Sequence, residues 1–215
     1  MGARIFLRAN GKDSLFRIYL NRLIRATHGD SLLLCSGYIS DIPSMQQDIA
    51  DSIKIGCAPS GTVTLLAGKF AQSTSDEFGV DWEARFNKFA SFLKQELSPT
   101  GIDLKVMVAP NRNWHAKIAL KVNGTNPVIA LLGSSNLTGP AYLTGIKAWN
   151  YESDTLLWDE DITGSGILPS TASSDDVELD MIVRPGSNRT EKSEMNKIYK
   201  MIMGLPLENL TDDNK

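Results

Sequence analysis

The chain has 215 residues, of which 42% are hydrophobic and 22% charged, proportions typical of one globular domain with a full core. The net charge of −3 gives no overall basic field, so composition alone does not indicate a nucleic-acid-binding protein. Two cysteines are too few for a disulfide framework, and neither a secretory pattern nor a membrane-spanning apolar run is present. We therefore expect a single cytoplasmic domain over residues 1–206 that does not associate with membranes.

The predicted elements alternate between strands and helices along the chain. Strands are expected over 3–8, 31–39, 62–67, 102–108, 115–122, 128–132, 149–158 and 177–183. Helices are expected over 13–27, 43–55, 81–97 and 191–203. Residues 159–176 are rich in small and polar side chains and are predicted to form a mobile loop, and 207–215 a disordered tail. This order predicts an α/β fold, an α-β-α sandwich around a mixed, largely parallel central sheet.

Three short polar motifs lie at predicted strands or strand ends: His-Ala-Lys at 115–117, Gly-Ser-Ser-Asn at 133–136 and Asn-Tyr-Glu at 150–152. Strand alternation places His115 and Lys117 side by side on one face. An unpaired ammonium is costly to bury, and a bound phosphate would supply its countercharge. The first motif therefore indicates a phosphate site.

The other two motifs supply hydrogen-bonding groups for the same site. Ser134 and Asn136 follow Gly133, which allows the backbone to come close to a ligand. Glu152 is able to accept the remaining ring N–H of His115 and so fix its tautomer. Each motif alone is weak, and a lone His-x-Lys is more often an accident at a strand edge. Their common order and spacing favours a site for phosphoryl transfer without a metal.

In this order the motifs resemble the signature of the phospholipase D superfamily: His-x-Lys, then Gly-Ser-x-Asn, then commonly Asn-x-Glu on the following strand. The matching residues are His115, Lys117, Gly133, Ser134, Asn136, Asn150 and Glu152. The resemblance covers residues 110–158 and implies a phospholipase D-like fold. Val122 stands where many members carry an aspartate, and the interval from His115 to Asn136 is longer than in the shortest bacterial nucleases. Both departures resemble the nuclease domains of metal-independent restriction endonucleases.

The resemblance implies a mechanism in which one histidine attacks phosphorus and a second protonates the leaving oxygen. The implied catalytic residues are His115, Lys117, Ser134, Asn136 and Glu152, with no metal and no cofactor. The only other histidine, His28, follows a predicted helix and has no motif around it, so a helix-end role is favoured. The second catalytic imidazole is therefore expected from His115 of another copy, in a two-fold homodimer.

Four further residues complete the predicted site as substrate contacts: Arg112, Tyr38, Ser135 and Asn150. Tyr38 follows a buried strand, where α/β sheets tend to place ligands. Arg112 precedes the first motif and is suited to a nucleic-acid backbone.

The function implied by the resemblance is a metal-independent phosphodiesterase, with DNA endonuclease activity as the first expectation. A separate recognition or restriction-system subunit stays open as a partner. Two alternatives also stay open at this point. One is a phospholipid hydrolase or phosphatidyltransferase, and the other is a non-catalytic nucleic-acid-binding domain of the same fold.

Overall fold

The fold is described by a computed structural model over residues 2–7, 14–68, 81–109, 114–143, 152–159, 177–182, 196, 199–200, 203–204 and 208–209. The strands are β1 (Gly2–Leu7), β2 (Ser31–Cys35), β3 (Thr62–Gly68), β4 (Asp103–Ala109), β5 (Lys117–Asn123), β6 (Asn126–Gly133), β7 (Ser153–Trp158), β8 (Val177–Ile182) and β9 (Glu208–Asn209). The helices of four or more residues in these segments are α1 (Leu15–Arg25), α2 (Pro43–Gly56), α3 (Trp82–Leu97) and α4 (Gly139–Tyr142).

The described strands form one mixed sheet in the order β8-β1-β7-β6-β5-β2-β3-β4-β9. The α/β class is confirmed, but the expectation of a largely parallel sheet is wrong. In the described sheet, the pairs β2–β3 and β3–β4 are parallel, and the remaining pairs are antiparallel. The reason lies in the connections: α2 and α3 are the crossovers that parallel pairing needs. In contrast, β5 and β6 are joined by a tight turn in which Gly124 has a φ of 59°.

Helices α1, α2 and α3 bury their apolar stripes against one face of this sheet. Alternate residues of β2 divide between the two faces: Leu32 and Leu34 contact the helices, whereas Leu33 and Cys35 join a smaller cluster on the other face. Tyr199, from the chain's last predicted helix, packs against that second cluster. The prediction that β2 is buried on both faces, with Cys35 as a core residue, is confirmed.

The observed bounds differ from the predicted ones at a few informative places. The strand predicted over 31–39 ends at Cys35, because the hydroxyl of Ser36 bonds to the carbonyl of Tyr38 and turns the chain. Glu208 and Asn209, expected in a disordered tail, pair with β4. Helix α4 was not predicted from the sequence. Residues 160–176 of the predicted loop, residues 149–151 of a predicted strand, and 210–215 lie outside the described residues.

Within the helix-bearing layer, Lys121 is a fully buried lysine on β5. Its ammonium donates to the carbonyl of Gly56 at 2.7 Å and to that of Ile24 at 3.2 Å, and it lies 3.5 Å from the sulfur of Cys57. Both carbonyls belong to the last turns of helices, where backbone acceptors lack partners and the helix dipole favours a cation. Lys121 therefore connects the carboxyl-terminal ends of α1 and α2 to β5 through these hydrogen bonds.

A second polar network joins α1, α2 and α4 through Asp48. Its carboxylate accepts hydrogen bonds from Arg17, Asn21 and Tyr142 at 2.8–3.0 Å. Burial by itself would raise the pKa of Asp48, but the hydrogen bonds from Tyr142 and Arg17 outweigh it, and the pKa lies below its ordinary value of 3.8.

The depressed pKa of Asp48 predicts a specific acid dependence of stability. Because the folded pKa is lower than the unfolded one, the contribution of Asp48 is complete above the unfolded pKa and is lost as the pH falls through the folded one. Asp48→Asn removes this dependence. We therefore expect the free energy of unfolding, measured in urea from about pH 5 downward, to fall less steeply in Asp48→Asn than in the wild type. Asp103→Asn, at an exposed carboxylate, serves as the control; equal slopes for wild type and Asp48→Asn would contradict the assignment.

Candidate active site

Four strand ends meet at one edge of the sheet and bring the motifs together. These are the carboxyl ends of β2 and β6 and the amino ends of β5 and β7. In register, Lys117 of β5 lies opposite Gly133 of β6, and Gly133 lies opposite Asp154 of β7. Residues that are 16 or more positions apart in sequence thus become neighbours across three strands.

The predicted pair of His115 and Lys117 is in contact. The ammonium of Lys117 lies 3.1 Å from Nδ1 and 3.3 Å from Nε2 of the His115 ring, and it donates to the His115 carbonyl at 2.7 Å. His115 itself precedes β5 rather than lying within it, and its side chain is exposed. The imidazole is therefore open to a ligand, with the ammonium fixed beside it.

Lys117 is 9% exposed and has little water around its charge. Burial lowers the pKa of Lys117, and the carboxylate of Glu152 offsets part of that effect by Coulomb attraction. In this structure, the carboxylate of Glu152 therefore acts electrostatically on Lys117. The expected hydrogen bond between Glu152 and His115 stays a prediction.

The side chain of Asn136 is oriented by the segment that follows β2. Its Oδ1 accepts a hydrogen bond from the backbone N–H of Tyr38 at 3.1 Å, and the hydroxyl of Ser36 lies at 3.5 Å from the same oxygen. Ser36 also accepts from the N–H of Leu137. With Oδ1 engaged in this way, the amide nitrogen of Asn136 is the group left to donate to a ligand.

Gly37 permits the close approach of this segment to the first motif. A Cβ at this position would lie 2.9 Å from the carbonyl oxygen of Trp114 and 3.4 Å from Cα of His115. The ring of Tyr38 then lies edge-on to His115, with 6.3 Å between ring centroids, and contacts Trp82 at 4.6 Å on its other side. Tyr38 therefore lies beside His115, and its role as a substrate contact stays a prediction.

Ser134 and Ser135 point in different directions. Ser134 is exposed, and its hydroxyl accepts from the N–H of Ser153 at 3.0 Å, which leaves the hydroxyl proton available to a ligand. Ser135 is 1% exposed and donates to Asp154 from both its hydroxyl and its backbone N–H. The expectation that Ser135 contacts substrate is therefore wrong in this structure, because its side chain faces the core.

The remaining predicted residues have separate outcomes. Arg112 and Asn150 lie outside the described residues, so their roles stay predictions. His28 is exposed beside Gly29, whose Cβ position lies 2.6 Å from the carbonyl of Val122 at the other end of β5. That end is about 17 Å from Lys117, at ~3.4 Å per strand residue. His28 is thus not beside His115 within one chain.

Sequence reasoning missed Asp154 and assigned no role to Ser36. Asp154 carried a signal, because it alternates with Leu156 and Trp158 and so occupies an inward position of β7 where an apolar residue is usual. Ser36 had no comparable signal, since its contacts depend on a segment 100 residues away. In the described part of the chain, three or more metal-ligating side chains do not cluster. Nor does any described helix have the length and apolarity to cross a membrane.

No protein-family model matches the sequence, and no curated protein matches it. Phosphatidylserine synthase from Haemophilus influenzae Rd KW20 superimposes with a TM-score of 0.55 at 14% identity, over 96% of this chain and 39% of that chain. Polyphosphate kinase from Porphyromonas gingivalis gives a TM-score of 0.42 at 14% identity, over 87% and 23% of the two chains. A yeast tyrosyl-DNA phosphodiesterase mutant gives 0.35 at 12% identity, over 71% and 30%.

The superposition on phosphatidylserine synthase shows that the chain has a phospholipase D-like fold. The chain spans only 39% of that structure and 23% of the polyphosphate kinase. The fold class implied by the three motifs is therefore confirmed.

Gly133 must be glycine if this arrangement is correct. A Cβ there would lie 2.0 Å from Oδ1 of Asp154 and 2.6 Å from the carbonyl oxygen of Ser153. We expect Gly133→Ala to displace β7 or the loop and to lower stability by about 1–3 kcal/mol, as overpacking does. Urea denaturation measures the effect, with Gly124→Ala as the control, since a Cβ there meets nothing within 4 Å and is disfavoured only by its φ. A Gly133→Ala variant as stable as the wild type would contradict the packing.

Proposed function

We propose that this protein is a metal-independent phosphodiesterase that cleaves DNA through a phosphohistidine intermediate, with the active site shared between two copies of the chain. The observation that supports it best is the contact of the Lys117 ammonium with the exposed ring of His115, at the sheet edge that also carries Asn136. A nucleophile, a fixed cation and a neutral donor are the groups that phosphoryl transfer requires.

The contact between Lys117 and His115 favours the imidazole as a nucleophile. An ammonium only donates hydrogen bonds, so a ring nitrogen that accepts from it carries a lone pair rather than a proton. When a phosphate diester enters, its non-bridging oxygens are better acceptors for the ammonium. The ammonium of Lys117 then exchanges its hydrogen bond to the ring for one to the phosphate. The lone pair of His115 is thus free to attack when phosphorus is in place.

The proposed reaction has two balanced steps. In the first, a ring nitrogen of His115 forms a bond to phosphorus while the bond to the leaving alkoxide breaks, and the imidazolium of the second copy gives that oxygen its proton. In the second step, the imidazole of the second copy, which is now neutral, removes a proton from water. The water oxygen attacks phosphorus, and the N–P bond to His115 breaks. A phosphomonoester and the free His115 result.

Developing negative charge on the non-bridging oxygens would be offset by three groups. Lys117 supplies full charge, the amide nitrogen of Asn136 is aimed by the fixing of Oδ1, and the Ser134 hydroxyl retains its proton. These donors are fixed before substrate arrives, which is the condition under which such contacts lower an activation barrier most. They are suited to the charge-stabilising role that a metal ion performs in other phosphodiesterases.

The histidine count supports a shared site. The chain has two histidines, and His28 lies at the opposite end of β5 from His115. A two-fold axis that brings the exposed faces of two His115 residues together supplies both imidazoles with one self-complementary interface. A separate DNA-recognition subunit is compatible with this arrangement and belongs to the proposal.

Phosphatidyl transfer is the second candidate. It is favoured by the fold likeness to phosphatidylserine synthase and by the same catalytic groups, which act on phosphorus whatever alcohol it carries. DNA remains our first proposal because the motif spacing resembles nuclease domains.

Metal-free cleavage tests the proposed chemistry. We expect wild-type protein in excess EDTA to cut single- or double-stranded DNA and to form an acid-labile phosphoprotein during turnover. His115→Ala is expected to lose at least about a thousandfold in rate, because no other group replaces the nucleophile. Breaks made equally by both proteins would point to another site and overturn the proposal. Cleavage of phospholipid but not of DNA would support the second candidate instead.

Mixed dimers test the shared site. When wild-type and His115→Ala chains are co-expressed and assort at random, activity from a shared site follows the square of the wild-type fraction, because only the wild-type homodimer has two imidazoles. A site complete within one chain gives a linear dependence. His28→Ala chains serve as the control and are expected to leave activity unchanged at every ratio.

A further inference from the structure

We infer that Asp154 is a positioning residue that holds the Gly133–Asn136 loop in the geometry that the phosphate requires. The inference rests on the proposed function for its kinetic test. It concerns a residue outside the three motifs, on the strand that follows them, and it assigns the buried carboxylate of β7 to the organisation of the site.

Asp154 binds the loop at its centre. Its Oδ2 accepts from the hydroxyl of Ser135 at 2.6 Å, and its Oδ1 accepts from the backbone N–H of Ser135 at 3.2 Å. Both partners are nearly free of solvent, with Asp154 2% and Ser135 1% exposed. Two hydrogen bonds to one residue, in a medium of low dielectric constant, fix both the position and the orientation of its peptide unit.

The two sides of the loop are fixed by the first residue of β7 and by the segment that follows β2. Ser134 is paired with Ser153 through the N–H to carbonyl bond at 3.1 Å and through its hydroxyl. On the other side, Asn136 is held by the backbone N–H of Tyr38. Ser135 lies between these points and faces the core, so its bonds to Asp154 determine how Ser134 and Asn136 are presented to a phosphate.

Asp154 also lies in register with Lys117, the residue that carries the cation of the site. Lys117, Gly133 and Asp154 form one row across β5, β6 and β7, and the glycine leaves room for the carboxylate to lean over it. Lys117, Ser135 and Asp154 border a common cavity of about 10 Å³, close to the volume that holds one water. Lys117 and the loop thus border the same small cavity as Asp154.

If position 154 served packing alone, a carboxylate there would be unfavourable for stability. Removing a charge from water is unfavourable, and an apolar residue of similar size would usually stabilise β7 as well or better. What the carboxylate adds is two directed hydrogen bonds to a loop that bears ligand-binding groups. A position that favours geometry over stability is typical of functional sites.

The test separates positioning from simple structural support. Asp154→Ala removes both acceptors, and we expect kcat for phosphodiester cleavage to fall about ten- to hundredfold with little change in KM, since small displacements of charge-stabilising donors act mainly on the transition state. Ser135→Ala removes one bond and is expected to lower kcat about three- to tenfold. Asp154→Asn keeps the shape of the side chain. Its Oδ1 is able to accept from the backbone N–H of Ser135, and its Nδ2 is able to donate to the Ser135 hydroxyl oxygen. We expect this variant to keep kcat within about threefold of wild type.

Two further measurements complete the design. Asp48→Ala is the control, a half-buried, hydrogen-bonded carboxylate on α2, and it is expected to lower the melting temperature while leaving kcat unchanged. The double variant Ser135→Ala/Asp154→Ala is expected to lose no more than Asp154→Ala alone, because the two residues act as one unit. If Asp154→Ala does not fold, Ser135→Ala and Asp154→Asn carry the same comparison.

Binding of orthovanadate, measured by calorimetry, separates failure of this inference from failure of the proposed function. Loss of vanadate affinity in Asp154→Ala but not in Asp48→Ala supports the positioning role even if the wild type cleaves no diester tested. Folded Asp154→Ala with wild-type kcat and wild-type vanadate affinity would overturn the inference and leave the proposed function intact. A fall in kcat equal to that of Asp48→Ala, at equal loss of melting temperature, would also overturn it.

Discussion

The candidate site depends on a single row of three residues across the sheet. Lys117, Gly133 and Asp154 are opposite one another on β5, β6 and β7. The absence of a side chain on Gly133 leaves the space that the carboxylate of Asp154 occupies. Slipping any of these strands by one residue would send its member to the other face of the sheet. The hydrophobic alternation of the whole sheet therefore sets the register on which the chemistry relies.

Two lysines on β5 show how the same residue type acquires different roles. Lys121 and Lys117 are four residues apart on one strand and face the same layer. The ammonium of Lys121 is surrounded by the last carbonyls of α1 and α2 and has become part of the scaffold. That of Lys117 contacts the exposed ring of His115 and is influenced by the carboxylate of Glu152. Under the proposed function, a bound phosphate would change the second environment but not the first.

The sequence was a good guide where local pattern determines structure. Alternation correctly predicted that His115 and Lys117 would be neighbours, and the apolar run of β2 correctly predicted burial on both faces. It failed for Ser135, because the direction of a side chain in a loop is set by tertiary contacts, here those of Asp154. It also failed for the balance of parallel and antiparallel pairs. Alternating elements predict a sheet with helices, but only two adjacent pairs of the described sheet, β2–β3 and β3–β4, are parallel.

The two cysteines can serve as probes of local opening on the two faces of the sheet. Cys35 belongs to the cluster on one face of the sheet, and Cys57 to the cluster on the other, and both thiols are free and buried. Burial raises the pKa of both thiols, so neither is reactive in the closed structure. A thiol reagent modifies each cysteine only when its own layer opens. The relative labelling rates of Cys35 and Cys57 would therefore show which layer of the sandwich loosens first, without any change to the sequence.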